Sequence, residues 1–206
     1  MFTSDRLRIV MAASEAVPFS KTGGLADVST ALAKALDAMG HDVTMIIPDY
    51  RELRLKQQAK LPTVADTGMR FSLSMNGRYV NGGVNWTMLP DTSVKVLLVS
   101  QPYYFDRAQL YMEAGEGYKD NCERFCFFSR AVLEVCQQMV LRPDVIHCND
   151  WQTGLIPALL HAHHAGRPGF ENAASVMTLD RFAARPDRRL HRASDVGPRG
   201  PPRRRA

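Results

Sequence analysis

Lys21, Thr22, Gly23, Gly24, Leu25, Ala26, Asp27 and Val28 put a cation, two consecutive glycines and a carboxylate into one short string. At the start of a helix such a set can do phosphate chemistry. The first helical turn carries N–H groups without intrahelical partners, and the positive end of the helix dipole stands behind them. Two glycines remove the side chains that would hold a ligand off the backbone, and Lys21 adds a mobile positive charge. The same residues also read as a tight turn whose glycines merely allow close packing. Their spacing is neither G-x-G-x-x-G nor a Walker A loop. The phosphate reading requires a strand before the string and a helix after it.

The flanking residues meet that requirement. Leu7 to Ala13 is an apolar run of strand length, and Glu15 to Gly24 is a polar loop. Beyond Leu25 the apolar residues Val28, Leu32, Leu36 and Met39 fall on one helical face, and Gly40 stands where a helix stop belongs. Asp42 to Pro48 is a second buried strand. Residues 49 to 66 are polar and irregular. Met69 to Met75, Arg78 to Val80 and Val84 to Leu89 then alternate as short strands, with turns expected at Asn76-Gly77 and, as turn or bulge, at Asn81-Gly82-Gly83. Val94 to Ser100 is a strand, residues 101 to 120 an aromatic-rich loop, and Asn121 to Val140 the longest helix. Asp144 to Cys148 is a further buried strand, leading into Asn149-Asp150-Trp151, a helix from about Thr153 and a last strand from Ala174 to Thr178.

This order predicts an α/β fold: a Rossmann-like, mostly parallel sheet with helices on both faces and a hairpin insertion. Ligands of such sheets bind beyond the carboxyl ends of the strands. The Lys-Thr-Gly-Gly loop and the Asn-Asp-Trp turn both follow strands directly, so they share that edge. Asp150 reads equally as an N-cap for the next helix, and Trp151 as a packing residue.

Composition narrows the classes. The net charge is +5 over 206 residues, yet residues 180–206 alone carry nine Arg and three Asp, which is +6. The first 179 residues hold 17 basic and 18 acidic side chains, so no basic nucleic-acid face is indicated. No apolar run approaches a membrane span. The first strand begins too early to leave room for a signal peptide, and the cytoplasm is the expected location. Cys122, Cys126, Cys136 and Cys148 show neither C-x-x-C nor zinc spacing and read as free thiols. His161, His163 and His164 suit a helix C-terminus better than a metal.

Three stretches carry a likeness to a known family, in order. Ser14-Glu15-Ala16-Val17-Pro18-Phe19 precedes Lys-Thr-Gly-Gly-Leu-Ala-Asp-Val. Tyr103-Tyr104-Phe105-Asp106-Arg107 leads to Tyr118-Lys119-Asp120-Asn121 and Glu123-Arg124-Phe125. Pro143-Asp144-Val145-Ile146-His147-Cys148-Asn149-Asp150-Trp151-Gln152-Thr153-Gly154-Leu155 comes last. Together they resemble bacterial glycogen synthases and plant starch synthases over roughly Leu7 to Thr178. The resemblance implies the first half of a glycosyltransferase with two Rossmann-like domains (GT-B type). The implied reaction transfers glucose from ADP-glucose to the non-reducing end of an α-1,4-glucan such as glycogen, with retention and without a metal or cofactor. Lys21 matches the lysine that contacts the donor phosphates, Gly23 and Gly24 the backbone that approaches the donor, and Asp27 an acid near the sugar. His147, Asp150 and Trp151 match a strand-end segment lining the cleft.

The resemblance stops after Thr178. The family continues as Thr-Ile-His-Asn-Leu, whose histidine helps form the active site; Asp180 stands in its place here. Arg, Pro, Ala and Gly make up 19 of the last 27 residues, the residues that GC-rich DNA encodes in any frame. The expectation is an incomplete catalytic domain over 1–179 and an off-frame, disordered tail over 180–206, a genuine Arg-rich tail being the rival. The alternative function is a non-catalytic fragment that binds donor or glucan weakly.

Overall fold

The computed structural model describes residues 6–56 and 61–179; Asp180 and the tail beyond it lie outside the described residues. In chain order the elements are β1 (Arg8–Ala12), α1 (Gly24–Ala38), β2 (Asp42–Pro48), α2 (Arg51–Lys56), β3 (Ala65–Met75), β4 (Arg78–Met88) and β5 (Lys95–Ser100). There follow α3 (Pro102–Phe105), the two-residue strands β6 (Met112–Glu113) and β7 (Glu116–Gly117), α4 (Asn121–Gln138) and β8 (Val145–Asn149). A 3-10 turn (Trp151–Thr153), α5 (Ile156–Leu159), a π-helical turn (Leu160–His164) and β9 (Ala174–Thr178) complete the described chain.

Seven strands form one sheet in the order β3-β4-β5-β2-β1-β8-β9. From β5 to β9 the pairing is parallel, and β3 and β4 extend that sheet as an antiparallel hairpin. This is the Rossmann-like mixed α/β sheet expected from the sequence. Successive side chains of a strand point to opposite faces, and β1 shows it. Ile9 and Met11 pack with Ala33 of α1 on one face, while Val10 and Ala12 join Phe128 and Val132 of α4 on the other. The sheet is thus sandwiched between two apolar cores, and its carboxyl edge is left open for loops.

Helix α1 ends in a Schellman arrangement. Gly40, at φ +91°, donates to the Asp37 carbonyl at 2.9 Å, and His41 donates to that of Leu36 at 3.2 Å. Its buried face is not the expected apolar stripe, however. Ala26, Ser29, Thr30 and Ala33 are buried, Leu32 and Leu36 only partly so, and Val28 and Met39 are exposed. Small residues bring the helix close to β1 and its loop, and hydroxyls there meet loop backbone that an aliphatic side chain could not satisfy.

Other elements depart from expectation in similar ways. The polar stretch after β2 contains α2, and the aromatic-rich loop contains α3 and the β6–β7 hairpin. The helix expected from Thr153 is broken into 3-10, α and π turns. Strand β4 runs through Gly82 and Gly83 without a turn, and the register shift lies opposite, between Asp66 and Arg70. Gly82 is there for room: a Cβ on it would stand 2.5 Å from the Phe71 ring and 3.0 Å from Phe127. Those two rings stack with centroids 6.0 Å apart and join the hairpin to α4.

Gly82→Ala should therefore destabilise the chain by about 1–3 kcal/mol, the usual range for overpacking a well-filled core. At Gly83 a Cβ would meet only the flexible Arg70 side chain, at 3.3 Å. Urea denaturation should show a clear midpoint loss for Gly82→Ala and a smaller one for Gly83→Ala.

Candidate functional site

Strand β1 delivers Ser14 and Glu15 to the carboxyl edge, both buried. A buried carboxylate needs strong partners, and Glu15 has four. Its Oε2 accepts from the Thr22 backbone N–H at 2.6 Å and from that of Gly23 at 3.4 Å. Its Oε1 accepts from Thr22 Oγ1 and from the Tyr111 hydroxyl, both at 2.7 Å. Hydrogen bonds to a charged group contribute about 1.5–3 kcal/mol each, so this cluster fixes the path of the glycine-rich loop. Helix α1 holds the same loop from below: Ser29 Oγ donates to the Glu15 carbonyl at 2.8 Å, and Thr30 Oγ1 accepts from Val17 N at 2.9 Å.

The consequence for an incoming anion is specific. The Thr22 and Gly23 N–H groups are committed to Glu15. What faces the edge is the first turn of α1 itself. Gly23 is its N-cap, in extended conformation, and no side chain caps the helix. Neither Gly23 nor Gly24 has an atom within 4 Å of where a Cβ would stand, so the backbone there is open to close approach.

Lys21 and Asp27 are brought together. Lys21 Nζ lies 2.7 Å from both carboxylate oxygens of Asp27, and both side chains are about half exposed. An ion pair at such exposure is worth about 0–1 kcal/mol. A charge-assisted contact from Lys21 to a phosphate is worth more. The pair is therefore a resting contact that an anionic ligand can replace.

Opposite the loop stands Tyr111, which sequence reasoning did not single out. Burial pushes its phenol far above the ordinary tyrosine range, and the neutral hydroxyl is held between Ser14 Oγ and Glu15, each at 2.7 Å. Its carbonyl accepts from Asn121 Nδ2 at 2.8 Å. Asn121 Oδ1 in turn accepts from Arg124 Nη1 at 2.7 Å. Arg124 is fully buried, also donates to the Tyr104 carbonyl at 2.7 Å, and lies over the rings of Phe105, Tyr118 and Phe125. A relay thus runs from α4 through Tyr111 to the glycine-rich loop. Between that loop and residues 108–112 lies a cavity of about 450 Å³ lined by Lys21, Thr22 and Tyr111.

Strand β8 supplies the other group. Asn149 Nδ2 donates to the Ala12 carbonyl at 3.1 Å and to that of His147 at 3.2 Å, tying the ends of β1 and β8 together. His147 turns away from the glycine-rich loop, its Nε2 2.8 Å from Thr178 Oγ1 on β9, and burial lowers its pKa. Asp150 caps the 3-10 turn, its Oδ1 accepting from Trp151 N at 2.7 Å. Its φ of +64° with ψ of 175° is a backbone region rarely adopted outside glycine, and such strain is usually held in place by surrounding structure at functional sites. Trp151 is half exposed and spans the two groups, its ring 5.1 Å from that of Phe125 and 6.3 Å from that of Tyr111.

Lys21, Gly23, Gly24 and Asp27 thus form one cluster, which Tyr111 connects to Trp151. His147 on β8 and Asp150 just after it lie in a second group, each meeting Thr178 of β9. Glu15 had been read only as part of a motif; an acid directly between a strand and a glycine-rich loop was the signal for its role. His161, His163 and His164 fall on the π-helical turn, and no group of three His, Cys, Asp or Glu among the described residues is placed to hold a metal. No helix among them is long and apolar enough to cross a membrane.

The chain is similar to known proteins in sequence and in fold. A family model described as the starch synthase catalytic domain matches residues 8–185. The glycogen synthase of Aeromonas salmonicida (strain A449) is 40% identical over 187 residues, covering 86% of this chain and 35% of that protein. Glycogen synthase 2 of Geobacter sulfurreducens is 42% identical over 182 residues, with the same two coverages. The catalytic domain of starch synthase IV from Arabidopsis thaliana, solved bound to ADP and acarbose, matches with a TM-score of 0.75 at 30% identity, over 86% of this chain and 34% of that one. The chain spans about a third of the length of the curated relatives it matches.

Two outcomes follow from the site's geometry. In Glu15→Ala the loop loses its anchor, and amide hydrogen exchange at Thr22 and Gly23 should accelerate by at least tenfold, as expected for losing a contact worth about 1.5–3 kcal/mol; unchanged exchange would mean that other contacts hold the loop. The second concerns pH. His147 and His164 both have pKa values lowered from 6.5 by burial, so the unfolded chain takes up their protons first as pH falls. Their neutral forms cost nothing above about pH 6.5, and stability should decline below it. His147→Gln should flatten the decline that sets in below about pH 6.5 in urea titrations.

Proposed function

We propose, since this chain belongs to the starch synthase catalytic domain family, that it is the amino-terminal, donor-side part of an ADP-glucose-dependent glucosyltransferase. The reaction is transfer of glucose from ADP-glucose to the non-reducing end of an α-1,4-glucan, with retention at the anomeric carbon, in the cytoplasm and in the service of glycogen synthesis. The observation that carries this reading is the uncapped first turn of α1 behind Gly23 and Gly24, with Lys21 beside it on the open carboxyl edge. The main chemical demand of the step is to stabilise a leaving diphosphate, and a fixed helix terminus with a mobile ammonium does so. Asp27, released as Lys21 turns to the phosphates, then hydrogen-bonds sugar hydroxyls. The relative solved with ADP and acarbose supports both a nucleotide and an oligosaccharide subsite.

The two-domain architecture of this glycosyltransferase class puts the reacting centre between two Rossmann-like bodies. Residues 1–179 supply most of the first of them, residues 180–206 being off-frame sequence. Alone, this part binds donor weakly and does not turn over, because one wall cannot exclude water or orient both substrates. With radiolabelled ADP-glucose and glycogen, the 206-residue chain should give no protein-dependent incorporation; clear incorporation would overturn the division of labour. Joining residues 1–178 to the remainder of a starch synthase should give activity with ADP-glucose. In that protein Lys21→Ala should lower donor efficiency about ten- to a hundredfold, the equivalent of one charge-assisted contact. An unchanged efficiency would reduce the loop to a structural turn.

A further inference from the structure

Two thiols on α4 stand outside everything described so far. Cys122 and Cys126 lie one helical turn apart on the same face, in the first part of α4. Cys122 is exposed and Cys126 partly so, whereas Cys136 and Cys148 are buried. The first two line an apolar groove of about 360 Å³ with Phe125, Trp151, Gln152 and Leu155. Their thiols are near enough to interact: that of Cys126 is pushed up by burial first and by Cys122 next. Within the groove the Gln152 Oε1 atom is buried and has no hydrogen-bond partner among the described residues.

Helical geometry decides what this pair can do. Side chains four apart on a helix have Cβ atoms about 5–6 Å apart. A disulfide requires about 3.5–4.5 Å, so direct oxidation would have to distort the turn. A single bridging atom with two sulfur bonds of about 2.3 Å, the length of a zinc–thiolate bond, closes the gap without distortion. We propose that Cys122 and Cys126 form a dithiol site for one thiophilic bridging atom, the chemical class being a trivalent arsenical, whose organic group is received by the apolar groove beside Trp151. The step is a condensation. An arsine oxide and two thiols form two As–S bonds, the arsenic–oxygen bond breaks, and both thiol protons leave with the oxygen as water. Arsenic stays trivalent, so no oxidant is required. The site is independent of the proposed transferase reading.

The test uses the 206-residue chain and one equivalent of phenylarsine oxide. The expected intact mass shows one phenylarsenic group per chain, retained in excess monothiol and released by a dithiol. Cys122→Ser and Cys126→Ser should each abolish the monothiol-resistant adduct. Non-reducing peptide mapping of the unsubstituted chain should place the arsenic across these two residues, which keeps the test open if a variant does not fold. Trp151 emission should change on loading, and Trp151→Phe should remove that change. Mild oxidation with diamide should leave the pair unlinked. Arsenic bound at Cys136 or Cys148, an adduct that survives Cys122→Ser or is stripped by monothiol, unaltered Trp151 emission, or a ready Cys122–Cys126 disulfide would each overturn the proposal.

Discussion

The carboxylate of Glu15 is the constraint on which the carboxyl edge of this sheet depends. It is buried just after β1, where an unpartnered negative charge would be costly, and it accepts from four donors. Two of those donors are backbone N–H groups of the glycine-rich loop and one is the Tyr111 hydroxyl. The loop's shape is thereby set by an internal anion. The helix behind it, uncapped by any side chain, is left to face outward. The internal carboxylate takes the loop's donors and leaves those of the first helical turn unclaimed by any side chain.

Tyr111 is held in turn because α4 holds Asn121, and Asn121 accepts from Arg124. Arg124 makes no salt bridge among the described residues. Its charge is balanced by carbonyl and amide oxygens and by three ring faces, and burial lowers its pKa. Lysine would not substitute well, because its ammonium lacks the planar fork that serves two acceptors while lying over rings. The aromatic segment between β5 and α4 is therefore a support for the glycine-rich loop, although only Tyr111 within it touches Glu15.

What was legible in the sequence divides along the same line between local and non-local order. The strands were readable because buried parallel strands are short apolar runs, and the C-terminal stop of α1 because Gly40 must adopt positive φ. Lys21, Gly23, Gly24 and Asp27 were readable because they are neighbours in the chain. The buried face of α1 was not, since Ala26, Ser29, Thr30 and Ala33 carry little hydrophobic signal beside Val28 and Met39. Gly82 read as part of a turn or bulge; the irregularity falls on the opposing strand, and the ring that fills the missing side chain belongs to Phe71 there. Tyr111 was invisible for the strongest reason: its partner Glu15 lies 96 positions away. The matched relatives support the family reading, which rested on strings of neighbours rather than on any of these distant contacts.

The small amide of Asn149 has a mechanical meaning. By bridging the Ala12 and His147 carbonyls it rivets two adjacent strand ends, one leading to the glycine-rich loop and the other to Trp151. Those two loops then travel as one stiff plate, with little freedom to spread or pinch. A ligand arriving there meets an anvil rather than a jaw. Whatever strokes against this edge must carry its own hinge.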